Sequence, residues 1–179
     1  MKIYFVRHGE TKMNFFHLLM GSRINEQLDK KGIAQAHEVA QHLDPAVNII
    51  FASPLKRAQQ TAFIISNARN ISVHTRDELA ERDFGKLTGK SWDEIQEMTG
   101  VSLENIEENL NMNLRKFDVE PGSAMKARLL HFLADIKKNY SDKVPLIVAH
   151  SGIINLMYQM YPETQHPQAA NGTIHVFEI

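Results

Sequence analysis

KIYFVRHGET, residues 2–11, sets the fold of this chain: a short apolar run stops abruptly at Arg7-His8-Gly9. A continuous apolar run of this length is typical of a strand buried on both faces. A second run, VPLIVA at 144–149, stops in the same way, at His150-Ser151-Gly152. We therefore predict strands over 2–6 and 144–149, each followed directly by a histidine.

Helix and strand patterns alternate through the rest of the chain. Apolar residues recur at helical spacing, and helices are predicted at 30–43, 92–98, 125–136 and 153–160. Further strands are predicted at 48–52, 71–74 and 173–178. Ser53-Pro54 predicts the start of another helix, with Ser53 as its N-cap and Pro54 at the first helical position. Residues 11–28 and 78–89 are expected to be irregular.

This alternation predicts an α/β fold, a three-layer α/β/α sandwich with a largely parallel central sheet. We expect one domain over 1–179. Ligands of such sheets bind at the carboxyl ends of the strands. Because two predicted strands end at His8 and His150, the pattern places two imidazoles on one rim of the sheet.

Composition excludes several classes of protein. The chain has 179 residues, no cysteine and a formal net charge of −1. It cannot form a disulfide scaffold, a thiol nucleophile or a cysteine zinc site, and it lacks the basic footprint of a nucleic-acid binder. No apolar run approaches the ~20 residues that span a bilayer. The four apolar residues 3–6 are too few for a signal peptide. We expect a cytoplasmic protein with no membrane and no nucleic-acid partner.

The first strand ends in residues with the chemistry of anion binding. Gly9 permits a sharp turn and a close ligand. Arg7 offers a planar fork of donors that matches phosphate or carboxylate oxygens. His8 is a possible nucleophile or base. Taken alone, such a tripeptide is better interpreted as a structural histidine at a strand end with an arginine on the surface.

Several further blocks follow in order along the chain. They are Asn14, Gly32 with Gln35 and Ala36, SPLKRAQQTA at 53–62, LAERDFGKLTGK at 79–90, Pro121-Gly122 and VAHSG at 148–152. With RHGET, they resemble the histidine phosphatase superfamily, the phosphoglycerate-mutase-like family, over nearly the whole chain. The resemblance implies that fold and a phosphoryl-transfer activity.

The resemblance also implies a role for each matching residue. His8 corresponds to the nucleophile that forms a phosphohistidine. The other implied site residues are Arg7, Arg57 and Asn14 as phosphate ligands, His150 as a donor to the phosphoryl oxygens, and Glu81 as the proton donor to the leaving group. No metal and no cofactor are implied. Without the resemblance, Glu81 could not be chosen over Glu78, and Arg57 and His150 could be a surface and a core residue.

The remaining histidines show no metal-ligand spacing and are interpreted as structural, and Trp92 is interpreted as a packing residue. The sequence departs from the family pattern at Ser151, where glycine is usual, and at 123–125, which read SAM where a Gly-Glu-Ser-like sequence is usual.

A phosphatase that acts on a small phosphorylated metabolite is the expected function, because the chain is shorter than the family's mutases. Residues 102–120 are expected to cover the substrate. The alternatives are a phosphomutase on the same scaffold and a non-catalytic module that binds a phosphorylated ligand. The oligomeric state is left open.

Overall fold

The computed structural model describes residues 1–102, 106, 112–162 and 169–179. In these residues a five-stranded sheet forms the centre, in the order β3-β2-β4-β1-β5. The strands are β1 (Lys2–Arg7), β2 (Ile49–Ala52), β3 (Val73–Thr75), β4 (Pro145–Ala149) and β5 (Ile174–Glu178). The first four are parallel and β5 pairs antiparallel with β1 at the edge, so the predicted largely parallel sheet is confirmed.

Helices cover both faces of this sheet. The helices whose bounds the structure describes are α1 (Lys12–Phe15), α2 (Lys30–His42), α3 (Lys56–Arg69), α4 (Trp92–Thr99), α5 (Gly122–Asn139) and α6 (Ser151–Met160), and α2, α3, α5 and α6 are the ones that pack on the sheet. One face buries Phe5 and Ile147 in a cluster with α5 and α6. The other buries Val6 and Val148 in a cluster with α2 and α3. The side chains of consecutive strand residues therefore pack against helices on opposite faces of the sheet. The sheet and the two helix layers form the three-layer sandwich.

The start of α3 differs from the sequence prediction. The helix begins at Lys56 with Leu55 as its N-cap, and no side chain caps it. Ser53 is fully buried at the end of β2, and its backbone N–H donates to the Val148 carbonyl. The predicted N-cap role of Ser53 is wrong, because Pro54 and Leu55 separate Ser53 from the first residue of the helix.

Parts of the two segments predicted to be irregular are ordered into short helical turns. Thr11 and Asn14 form a capping box that starts α1. Two 3₁₀ turns, Asp77–Leu79 and Gly85–Leu87, interrupt the predicted loop. A third lies at Arg115–Phe117.

The predicted covering segment is only partly described. Residues 103–105 and 107–111 lie outside the described residues. Ile106, Leu114 and Val119 pack in a third apolar cluster with Phe84 and Ile95. Its covering role stays a prediction. Within the part of the chain that the structure describes, the helices are all too short or too polar to cross a bilayer.

Candidate active site

Two imidazoles meet at the carboxyl ends of the central strands. β1 and β4 are neighbours, with Arg7 paired to Ala149, and each strand is followed directly by a histidine. The ring centroids of His8 and His150 lie 5.1 Å apart with their planes inclined at 61°. Both side chains are buried. The parallel register of the two strands thus creates a site from residues that are far apart in sequence.

Hydrogen bonds to both ring nitrogens identify the tautomer of His8. Nδ1 lies 2.7 Å from the carbonyl oxygen of Gly9, which can only accept, so Nδ1 carries the hydrogen. Nε2 lies 3.1 Å from Nε of Arg57, which can only donate. His8 is therefore a neutral imidazole whose Nε2 lone pair faces a guanidinium group.

Arg57 is held rigidly against this lone pair. It is the second residue of α3 and is almost fully buried. Its two terminal nitrogens donate to the carbonyls of Gly21, at 2.8 Å, and Ile24, at 2.9 Å. Burial lowers the pKa of Arg57 to about 10, so the group remains charged at neutral pH. A fixed cation beside an unprotonated ring nitrogen is an arrangement suited to binding an anion.

Burial and positive charge keep both imidazoles neutral. The pKa of His8 lies well below its ordinary value of 6.5 because of burial, and then because of the charges of Arg57 and Arg7. The pKa of His150 is lowered in the same way, by burial first and then by the charge of Arg57. The site therefore presents imidazole rather than imidazolium well into acidic pH.

Ser53 orients the second imidazole, a contact that sequence reasoning missed. Its Oγ lies 2.7 Å from Nε2 of His150 and accepts a bond from the backbone N–H of Leu55. Nδ1 of His150 is buried without a hydrogen-bond partner among the described residues. Because β2 is the neighbour of β4, the residue that follows β2 had to fall beside the residue that follows β4. The sequence predicted parallel strands but not which strands are neighbours, so this contact could not be found from the pattern alone.

Glu81 is anchored to the start of α6. One carboxyl oxygen accepts the backbone N–H of Arg82 at 2.8 Å, and the other accepts the N–H of Gly152 at 3.2 Å. A β-carbon at Gly152 would overlap Glu81 Oε1 and lie 3.1 Å from the end of the Met125 side chain. The glycine that follows Ser151 therefore makes room for the carboxyl group.

The two remaining predicted ligands, Arg7 and Asn14, line the same cavity as His8. Arg7 donates to the carbonyl of Ala169 at 2.7 Å. The Asn14 side-chain oxygen accepts from the backbone N–H of Thr11. Asn171, which sequence reasoning did not single out, donates to the His8 carbonyl at 2.9 Å and lies 3.4 Å from the Asn14 oxygen.

A cavity of about 410 Å³ opens onto this cluster. Its lining includes five of the six predicted residues: Arg7, His8, Asn14, Arg57 and Glu81. The sixth, His150, is not part of the lining but lies against the His8 ring, and its neighbour Ser151 belongs to the lining. His17 and Trp92, which we interpret from the sequence as structural and packing residues, also line the cavity.

Comparison with known proteins gives consistent results. The family model "Histidine phosphatase superfamily (branch 1)" matches residues 3–178. "Uncharacterized phosphatase PhoE" of Bacillus subtilis is 31% identical over 179 residues, which cover 97% of this chain and 86% of that protein. "Probable phosphoglycerate mutase GpmB" of Yersinia pestis is 36% identical over 96 residues, 53% of this chain and 44% of that protein. A solved mycobacterial glucosyl-3-phosphoglycerate phosphatase shares the fold with a TM-score of 0.82 and 21% identity, covering 98% of this chain and 90% of its own.

Proposed function

The chain belongs to the histidine phosphatase superfamily, branch 1, and from that membership we propose that it hydrolyses small phosphomonoesters without a metal, through a phosphohistidine on His8. The observation that carries this proposal is the state of His8 Nε2. That nitrogen is unprotonated, buried and turned toward the Arg57 guanidinium, 3.1 Å away. A substrate phosphate bound by the same guanidinium would have its phosphorus next to the attacking lone pair.

The first half of the reaction forms the phosphoenzyme. Nε2 of His8 attacks phosphorus, and an N–P bond forms while the P–O bond to the leaving alcohol breaks. Arg7 and Arg57 stabilise the charge on the phosphoryl oxygens, and His150 donates a hydrogen bond to one of them. The leaving oxygen takes a proton from the carboxyl group of Glu81, whose position beside α6 is fixed by two backbone amides.

The second half returns the enzyme to its starting state. The Glu81 carboxylate takes a proton from water, and the water oxygen attacks phosphorus. The N–P bond breaks, inorganic phosphate leaves and His8 is again a neutral imidazole. The low pKa of His8 suits the first half, because a protonated ring could not attack phosphorus.

Hydrolysis rather than phosphoryl exchange is the proposed fate of the intermediate. The similarity to the B. subtilis phosphatase extends over 97% of this chain, while the similarity to the Y. pestis mutase extends over 53%. The proposed partner is a small phosphorylated metabolite. The cytoplasmic location and the lack of nucleic-acid partners stay predictions.

A panel of phosphomonoesters assayed for phosphate release, with and without EDTA, tests this function. We expect turnover that EDTA does not change and that His8→Ala abolishes, while the exposed His37→Ala serves as the matched control. Loss of activity in EDTA would overturn metal independence. Isomerisation of 3-phosphoglycerate with 2,3-bisphosphoglycerate as primer, without phosphate release, would show a mutase. No turnover by the wild type, with ligand affinity kept in His8→Ala, would show a binding module.

A further inference from the structure

Part of the cavity lining is aromatic. Trp92 lines it with 45% of its surface exposed, and the His17 ring lies 4.9 Å from the Trp92 ring at an angle of 63°. Phe84 and Met20 also contribute to the lining. A phosphate group fills only a small part of about 410 Å³, so the rest of the cavity is available to the alcohol that the phosphate esterifies.

The backbone holds this aromatic wall in place before any ligand arrives. Leu18 and Ser91, the neighbours of His17 and Trp92, form an antiparallel bridge. Leu19 extends the pairing, with its N–H 2.9 Å from the Lys90 carbonyl and its own carbonyl 2.7 Å from the Gly89 N–H. His17 is kept in the left-handed region at φ 53°, an unusual conformation for a residue other than glycine. The two rings therefore belong to one preorganised platform.

Another part of the lining offers charged groups that are already paired with each other. Glu10 and Lys31 line it and pair with each other at 2.8 Å. Beyond the arginines and Glu81, these are the charged groups that the described residues contribute to the lining. A leaving group with a second anionic charge would compete with Glu10 for Lys31. A flat, uncharged ring can instead stack on the aromatic platform without disturbing it.

On the basis of the proposed phosphatase activity, we propose that the physiological substrate is a phosphomonoester of a ring-bearing alcohol, and that its planar ring stacks on Trp92 beside His17. The class includes aryl-substituted alkyl phosphates and nucleoside monophosphates. Trp92 thereby acts as a specificity-determining residue. It takes no part in the chemical step, because the reacting atoms lie at His8 and Glu81.

Benzyl phosphate and cyclohexylmethyl phosphate test the proposal as a matched pair. Both release a primary alcohol of similar size, but only one carries a flat aromatic ring. Offset or edge-on aromatic contacts favour the benzyl compound by about three- to tenfold in kcat/KM. Trp92→Leu keeps an apolar side chain without the ring and brings this ratio toward one. Phe63→Leu, on an aromatic residue of α3 that is 63% exposed and outside the cavity lining, leaves the ratio unchanged.

Tryptophan fluorescence of the wild type gives a second readout that needs neither turnover nor a variant. Trp92 is the only tryptophan in the chain, so the whole tryptophan signal reports on this wall. Benzylphosphonate, which cannot be hydrolysed at its P–C bond, should shift or quench the emission saturably. Methylphosphonate should bind at the arginines with a much smaller change.

The outcomes separate this proposal from the function on which it rests. Equal kcat/KM for both esters in the wild type, together with identical emission changes for both phosphonates, would overturn the role of Trp92 while the phosphatase activity stands. A benzyl-selective emission change in a protein that hydrolyses neither ester would support the ring-binding wall and overturn the proposed phosphatase.

Discussion

The substitution Gly152→Ala isolates the contribution of the Glu81 carboxyl group. Its new methyl group would overlap Glu81 Oε1 and stand 3.2 Å from the carboxyl carbon. The oxygen must retreat by about 1 Å to reach a normal nonbonded separation. Glu81 is buried and is held by the backbone amides of Arg82 and of residue 152 itself, so this retreat breaks or bends both hydrogen bonds.

A displacement of that size has a large effect on proton transfer and a small one on folding. Misplacing a catalytic group by about 1 Å can cost about 10²-fold in rate. Replacing the glycine in α6 by alanine raises the free energy of unfolding by about 1 kcal/mol. Crowding by the new methyl group lowers it by about 1–3 kcal/mol. We therefore expect kcat/KM for an alkyl phosphate to fall by about 10²-fold, with a net loss of about 2 kcal/mol or less in the free energy of unfolding.

Two substrates with different leaving groups show whether the loss comes from proton donation. An alkyl alcohol must be protonated as it leaves, whereas p-nitrophenol leaves readily as an anion. Gly152→Ala should therefore spare hydrolysis of p-nitrophenyl phosphate relative to glycerol phosphate, and Gln159→Ala on the exposed side of α6 should affect neither. Equal losses on both substrates, with unfolding by urea unchanged, would refute the assignment of Glu81 as proton donor.

Three further predictions concern the imidazoles of His8 and His150 and the side chains that contact them. The folded state lowers the pKa of His8 and His150, so unfolding takes up protons once the pH falls below the unfolded pKa of about 6.5, and the free energy of unfolding should decrease as the pH falls. Urea unfolding at pH 7.5 and 5.5 measures this decrease, and equal stabilities would contradict it. Ser53→Ala leaves a buried nitrogen unpaired and should cost about 1–3 kcal/mol in urea unfolding; a cost near zero would exclude the contact. Arg57→Lys loses the planar fork that reaches two carbonyls and His8, so phosphate release from glycerol phosphate should fall by about 10²-fold or more; retention of most activity would show that Arg57 does not stabilise the phosphoryl group.

Local patterns were sufficient to predict the layers of the fold. The apolar runs that end at His8 and His150 predicted strands of a largely parallel sheet with both histidines on one rim, and the structure makes these strands neighbours, with Arg7 paired to Ala149. The helical spacing of 125–136 predicted α5, although the helix begins three residues earlier, at Gly122. These elements follow from local periodicity and from the rule that buried strands of an α/β sheet are parallel.

Contacts between distant residues were not predictable from these patterns. Ser53 is a residue type that is typical of a helix N-cap. Its hydrogen-bond partner, His150, is 97 residues away and determines its actual role. Gly152 carries no sign that a carboxyl group 71 residues away needs its space. Trp92 follows a helix cap in sequence, and only the bridge between Leu18 and Ser91 turns it toward the cavity.

The position of phosphate on the His8 ring tests the central claim most directly. Rapid quenching of the enzyme with a phosphomonoester under alkaline conditions, followed by phosphorus NMR of the isolated phosphopeptide, identifies the modified nitrogen. Because Nδ1 donates to the Gly9 carbonyl and Nε2 faces Arg57, phosphate should be found on Nε2 of His8 and nowhere else. Phosphate on Nδ1, on His150 or on no histidine during active turnover would contradict the account.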